Sequence, residues 1–198
     1  MTLANRLTLL RIFLSFLFMA FLFHRGIAFR LSALILFLIA SLTDLYDGRL
    51  ARLKDQVSNF GKLMDPIADK ILVLCAFVAF VELGLIPGWM VVLVLSRELL
   101  ITGVRLLVLT QGRGVLSAGV GGKHKTVTQM GGIIWVLLVL VLRELPSRWP
   151  ALEGVWFYKF LEPSIFWVLW VTVWVTVGSG LLYLWRHRLL LMGNGQNR

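Results

Sequence analysis

Four aspartates, Asp44, Asp47, Asp65 and Asp69, carry types and spacings that could do chemistry. The first pair is three residues apart and the second four, so each pair shares one face of a helix. They belong to the stretch TDLYDGRLARLKDQVSNFGKLMDPIADK, Thr43 to Lys70, which holds five of the chain's ten acidic residues between two strongly apolar segments. Facing carboxylates repel one another, and a charged side chain at mid-membrane costs at least about 2.5–3.5 kcal/mol. Divalent cations resolve both problems. An all-oxygen donor set suits Mg²⁺ or Mn²⁺ better than zinc. Two such ions about 4 Å apart would clamp both oxygens of an in-line phosphoryl displacement. A plainer reading pairs these aspartates with Arg49, Arg52, Lys62 and Lys70 in a basic loop, which explains one carboxylate more readily than four at helical spacing. Gly48 and Gly61 leave room where two helices, or a helix and a ligand, approach closely. Pro66, after Asp65, fits a helix start capped by Asp65 or a kink in a helix already begun.

The elements that must position these groups are membrane helices. Of the 198 residues 59% are hydrophobic and the mean hydropathy is +0.85, above the roughly 45–50% apolar content of soluble domains. This is the composition of an all-α integral membrane protein, read as a single domain over residues 1–198. Six spans are expected, near residues 8–23, 29–43, 61–83, 89–109, 126–142 and 164–185. The second is expected to continue as helix past Asp47, and GLIPG to break the chain after the third. The first resembles a signal peptide, but HRGIAFR follows it where a small-residue cleavage site would stand, so a retained anchor is expected. Cys75 lies in an apolar run and reads as a small packing residue.

An even number of spans puts both termini on one side, with 15 of the 20 basic residues. Arg25, Arg30, Arg143, Arg148 and Lys159 fall on the other. The positive-inside rule makes the first side cytoplasmic, so the acidic stretch lines a polar groove facing the cytoplasm. Trp149, Trp156 and Tyr158 would sit at the outer interface and Trp185 at the inner one. The net charge of +10 reflects this bias and attraction to anionic membrane lipid, with part available to a phosphate-rich substrate. Nucleic-acid binding is excluded, because the basic residues flank spans and form no separate soluble module.

A second group of charges is cationic. The fourth span contains SRELLITGVR, with Arg97, Glu98 and Arg105. The link to the fifth carries GKHKTVTQMGG, with Lys123, Lys125, Thr126 and Gln129. Gly121 and Gly122 are expected to turn the backbone just before a helix whose free N–H groups favour an anion. Arg97 and Glu98, an ionisable pair in an apolar helix, need a partner or a watered cavity. They are read as supporting residues, with Arg105, Lys123 and Lys125 nearer an acceptor phosphate. Snorkelling and loop charge are the plainer account of the last three.

In order, the acidic segment gives Asp44, two residues, Asp47-Gly48, two residues, Ala51-Arg52, eight residues, Gly61, three residues, Asp65, three residues, Asp69. This resembles the complete signature of the CDP-alcohol phosphotransferases. The resemblance implies transfer of a substituted phosphate from a CDP-linked donor to an alcohol, with release of CMP. It implies that Asp44, Asp47 and Asp65 ligate two Mg²⁺ or Mn²⁺ ions. Asp69, also at the metals, would be the base. It places the CDP-lipid at Gly48, Ala51, Arg52 and Gly61, and makes a homodimer the expected assembly. Asn5, Leu7, Thr8 and Arg11, the Arg97-Glu98 pair, and the run Lys123, Lys125, Thr126, Gln129 are similar to one branch, the bacterial phosphatidylglycerophosphate synthases. Ala4 stands where many members of that branch have Pro. The branch implies CDP-diacylglycerol as donor, held also by Asn5 and Thr8, glycerol 3-phosphate as acceptor, and the bacterial inner membrane. Inositol phosphate, serine or phosphatidylglycerol remain alternative acceptors. A divalent-metal transporter is a different class, opposed by the confinement of the aspartates to one membrane face and by Arg52 and the lysines, which repel cations. A structural anchor would not need four carboxylates.

Overall fold

The computed structural model describes residues 3–54, 59–110, 120–148, 156–186 and 188. They form α1 (Leu3–Phe23), α2 (Ile27–Lys54), α3 (Asn59–Glu82), α4 (Gly88–Thr110), α5 (Val120–Arg143), the single turn α6 (Leu145–Arg148) and α7 (Trp156–Arg186), with no strand among the described residues. The six long helices overlap the six expected spans; α2 runs 11 residues beyond its expected end, α7 starts eight residues early, and α3 stops one residue short. Three of them, α1, α5 and α7, contain stretches long and apolar enough to cross a membrane by themselves, and Ile27–Thr43 of α2 is a shorter apolar stretch. With its all-helical architecture, this makes the chain an integral membrane protein.

The turns follow from local chemistry. Gly26, at φ +111°, separates α1 from α2, and its carbonyl accepts the first bond of α2 from Arg30 N–H at 3.1 Å. GLIPG does break the chain. Gly84, at φ +70°, ends α3; its N–H bonds to Val81 O and that of Leu85 to Phe80 O, both at 2.9 Å, closing the last turn with a left-handed glycine. Pro87 then opens the next helix.

A continuous apolar core links Leu14, Phe18 and Leu22 of α1 with Phe37 of α2, Phe80 of α3, Met90 of α4, Leu137 of α5 and Leu169 of α7. Phe18 and Phe37 meet at 5.5 Å between ring centroids. Cys75 is free and buried in this core, as its apolar setting predicts. Phe13 and Phe16 on α1, and Trp167 and Trp174 on α7, face outward, as helices against lipid do. α1 packs on α2 and α3, α5 on α2 and α7, and α4 on α3 and α7. Glycine sets the closest approach of α5 to α7: a Cβ on Gly132 would lie 2.6 Å from Thr172 Oγ1.

One local expectation is corrected, and one open choice is decided. α5 begins at Val120, so Gly121 and Gly122 lie within its first turn and do not turn the chain ahead of it. Of the two readings of Pro66, the structure takes the helix already begun, since α3 starts at Asn59 and runs through it. Trp149, Trp156 and Tyr158 have side chains outside the described residues; Trp185 is exposed near the end of α7.

Candidate active site

The acidic signature spans two consecutive, packed helices. Asp44, Asp47, Gly48, Ala51 and Arg52 occupy the C-terminal part of α2; Gly61, Asp65 and Asp69 occupy the first three turns of α3. Their side chains, with those of Asn5 and Lys123, lie outside the described residues. The backbone nonetheless sets a frame. α2 is unbroken from Ile27 to Lys54, so Asp44 and Asp47 stand one turn apart, and α3 is unbroken through Asp65 and Asp69. Among the described residues no group of three or more His, Cys, Asp or Glu side chains stands close enough to hold a metal ion.

Immediately after Asp69, Lys70 leads into a polar network that ties four helices together. Lys70 Nζ donates to Thr102 Oγ1 of α4 at 2.5 Å, and Thr102 Oγ1 donates to the Glu98 carbonyl at 2.8 Å. The Glu98 carboxylate pairs with two cations, Arg97 on the same helix at 3.1 Å and Lys125 from the second turn of α5. Arg97 also donates to Ser179 Oγ of α7 at 3.2 Å. Arg97, Glu98 and Lys125 are only 12%, 15% and 13% exposed, so the ion pairs are largely shielded from solvent. In such a setting each charge requires its partners. Among the described residues two cations face this one carboxylate. Arg105, two turns along α4, lies over the Tyr183 ring of α7 at 5.5 Å from its centroid, so α7 backs this part of α4 as well.

Arg97 fits only because α7 offers no side chain at one point. A Cβ on Gly180 would come within 2.5 Å of Arg97 Cγ and 3.1 Å of its Nε. Ser179 and Gly180 thus act together: one accepts the guanidinium and the next leaves space for its stem. Neither was singled out from sequence, although a Gly-Ser-Gly step in an apolar helix is a signal of close packing. Lys70 and Thr102 were missed as a pair because 32 residues separate them.

α1 contributes a polar stripe. Thr8, Arg11 and Ser15, three and four residues apart, are all buried in an otherwise apolar helix that packs on α2 and α3. Ser15 Oγ donates back to the Arg11 carbonyl at 2.8 Å. By sequence Arg11 belongs with the basic residues of the cytoplasmic side, yet it is 1% exposed. Gln129, one turn beyond Lys125 on α5, is also buried, and its Nε2 has no hydrogen-bond partner among the described residues.

Comparisons with known proteins give one family-model match and a set of named relatives. Residues 1–178 match the family model for CDP-alcohol phosphatidyltransferase. A Bacillus subtilis protein named CDP-diacylglycerol–glycerol-3-phosphate 3-phosphatidyltransferase is 40% identical over 153 residues, covering 77% of this chain and 72% of that one. A Mycobacterium tuberculosis protein named probable phosphatidylglycerophosphate synthase is 45% identical over 130 residues, covering 64% and 61%. A Rickettsia felis protein with the same name as the Bacillus one is 32% identical over 182 residues, covering 91% and 92%.

Proposed function

This chain belongs to the CDP-alcohol phosphatidyltransferase family, and on that premise we propose that it transfers the phosphatidyl group of CDP-diacylglycerol to sn-glycerol 3-phosphate, giving phosphatidylglycerophosphate and CMP. The observation that carries the reading is the placing of all four aspartate positions on packed α2 and α3, directly followed by a cationic network built from Lys70, Arg97 and Lys125.

The family uses divalent metal ions. The donor set fits them: four carboxylates, one helical turn apart in each pair, with no cysteine or histidine between Asp44 and Asp69. Asp44, Asp47, Asp65 and Asp69 would hold two Mg²⁺ or Mn²⁺ ions. When bound, these neutralise the pyrophosphate and make CMP a better leaving group.

The remaining work falls to the chain's own side chains. Asp69 takes the proton from the glycerol 1-hydroxyl as its oxygen attacks the β-phosphorus. Arg52 offers a planar fork to phosphate oxygens, which a lysine would copy poorly. Gly48 and Ala51 leave room for cytidine, with Gly61, Asn5 and Thr8 also on the donor side. Lys125, Lys123 and Arg105 receive the acceptor phosphate, while Arg97 and Glu98 hold Lys125 in place. The acyl chains stay in the bilayer as the headgroup reaches the groove. The whole chain is read as one six-span domain of a bacterial inner membrane, with both termini and the groove cytoplasmic, and as a homodimer.

One incubation tests this. Purified protein, CDP-diacylglycerol and Mg²⁺ are offered glycerol 3-phosphate, serine, inositol, inositol phosphate and phosphatidylglycerol in parallel, with lipid products identified by mass. Phosphatidylglycerophosphate is the expected product; product from another acceptor alone would replace this reading.

A further inference from the structure

The end of the bundle remote from the aspartates carries a cleft that the reaction does not use. It has a volume of about 410 Å³ and is lined by Arg25, Arg30, Arg143 and Glu144 together with Leu83, Leu85 and Leu140. Four segments build it: the α1–α2 turn, the start of α2, the α3–α4 turn and the end of α5. Arg30 lies 14 residues before Asp44 on the same helix, or about 21 Å along its axis at 1.5 Å per residue. The cleft is therefore a separate place from the candidate active site.

Its charges are only partly balanced. Arg30 is 8% exposed; its guanidinium donates to the Leu22 carbonyl and stands 3.8 Å from Glu144. Arg143 pairs with Glu162 at 3.2 Å, outside the cleft, on two exposed side chains. Arg25 is exposed and has no ion pair among the described residues. Among the described residues three guanidiniums thus line the cleft against one carboxylate, with Arg143 also paired to Glu162. Like charges gathered in one concavity favour an anion, and the planar guanidinium of arginine can donate two parallel bonds to phosphate oxygens. The leucines beside them supply an apolar wall at the level where helices leave the hydrocarbon. Free phosphate would not use that wall, whereas the glycerol backbone and first methylenes of a lipid would.

We propose that this cleft binds the phosphate of an anionic phospholipid, with Arg25, Arg30 and Arg143 on the headgroup and Leu83, Leu85 and Leu140 against its chains. The site is distinct from the donor-lipid site and sits at the opposite membrane interface. It also explains why arginines collect at the end of the bundle where the positive-inside bias runs against them.

The test uses the full chain in detergent and the double variant Arg25→Gln/Arg143→Gln, which leaves Arg30 and its bond to Leu22 intact. Binding of dihexanoyl phosphatidylglycerol, dihexanoyl phosphatidylcholine and inorganic phosphate is measured by native mass spectrometry. The variant should bind the phosphatidylglycerol about tenfold more weakly or worse, since charge-assisted contacts are lost. Its CMP release should stay at the level of the unaltered chain, which shows that it is folded. Equal binding of phosphatidylglycerol by the two proteins would overturn the site. Inorganic phosphate binding as tightly as phosphatidylglycerol, or phosphatidylcholine binding as tightly and responding equally to the substitutions, would overturn its assignment to an anionic lipid.

Discussion

The two ends of this bundle both concentrate arginine, and they use it differently. At the end near the aspartates, Arg97 is 12% exposed and held by Glu98, by Ser179 and by the space above Gly180. At the other end Arg30 is also buried, but Arg143 is 59% exposed and pairs with an equally open Glu162. The first arrangement fixes a charge in one geometry; an exposed pair of the second kind contributes at most about 1 kcal/mol. A reaction needs the former, because catalytic groups must be placed before substrate arrives. An adaptable lipid contact tolerates the latter.

Four substitutions would break or sharpen that contrast. The largest effect is expected from Asp69→Asn, which keeps the side-chain shape but removes the base. CMP release should fall by about 10²–10⁴-fold or more, while membrane insertion and helical circular dichroism stay unchanged. Retained turnover would remove Asp69 from the chemistry. Glu98→Gln should come next. It leaves Arg97 and Lys125 as shielded cations without a carboxylate, at a cost on the order of 3 kcal/mol. A lower melting temperature in detergent and a weaker apparent affinity for glycerol 3-phosphate should appear together. A glycine pair gives the smallest and most discriminating effect. Gly180→Ala puts a methyl 2.5 Å from Arg97 Cγ, and Gly132→Ala puts one 2.6 Å from Thr172 Oγ1. Each overpacks by about 1–3 kcal/mol, so both should lower the melting temperature. Only Gly180→Ala should also lower the turnover of the folded fraction, since it alone displaces Arg97.

Much of this was legible in the sequence. Apolar runs of near-span length mark the six long helices, because a lipid-facing helix must be apolar almost all round. GLIPG marks a stop because its first glycine takes a left-handed conformation and its proline begins a new helix. The aspartate spacing is readable because helix geometry makes residues three and four apart neighbours. Contacts between distant segments were not readable. Arg97 and Ser179 are 82 positions apart, and sequence gives no sign that a serine near the end of α7 receives a guanidinium from α4. Arg11 reads as an interfacial charge, but packing of α1 on α2 and α3 buries it beside Thr8 and Ser15. The glycines at 121 and 122 read as a turn because isolated glycine disfavours helix; here the helix includes them. The arginine cleft needs four segments to exist and has no sequence signature at all.

The central claim is that the cations beside the aspartates select an acceptor by its phosphate. It is tested most directly by the ratio of kcat/KM for glycerol 3-phosphate to that for glycerol, measured with the unaltered chain and with Lys125→Ala. A site built around a charged group rejects an analogue lacking it by several orders of magnitude. The ratio should therefore be at least about 10³ in the unaltered chain and fall roughly tenfold in the variant, with the KM for CDP-diacylglycerol little changed. A ratio near one, or a variant that loses affinity for CDP-diacylglycerol and keeps its preference for glycerol 3-phosphate, would contradict the claim.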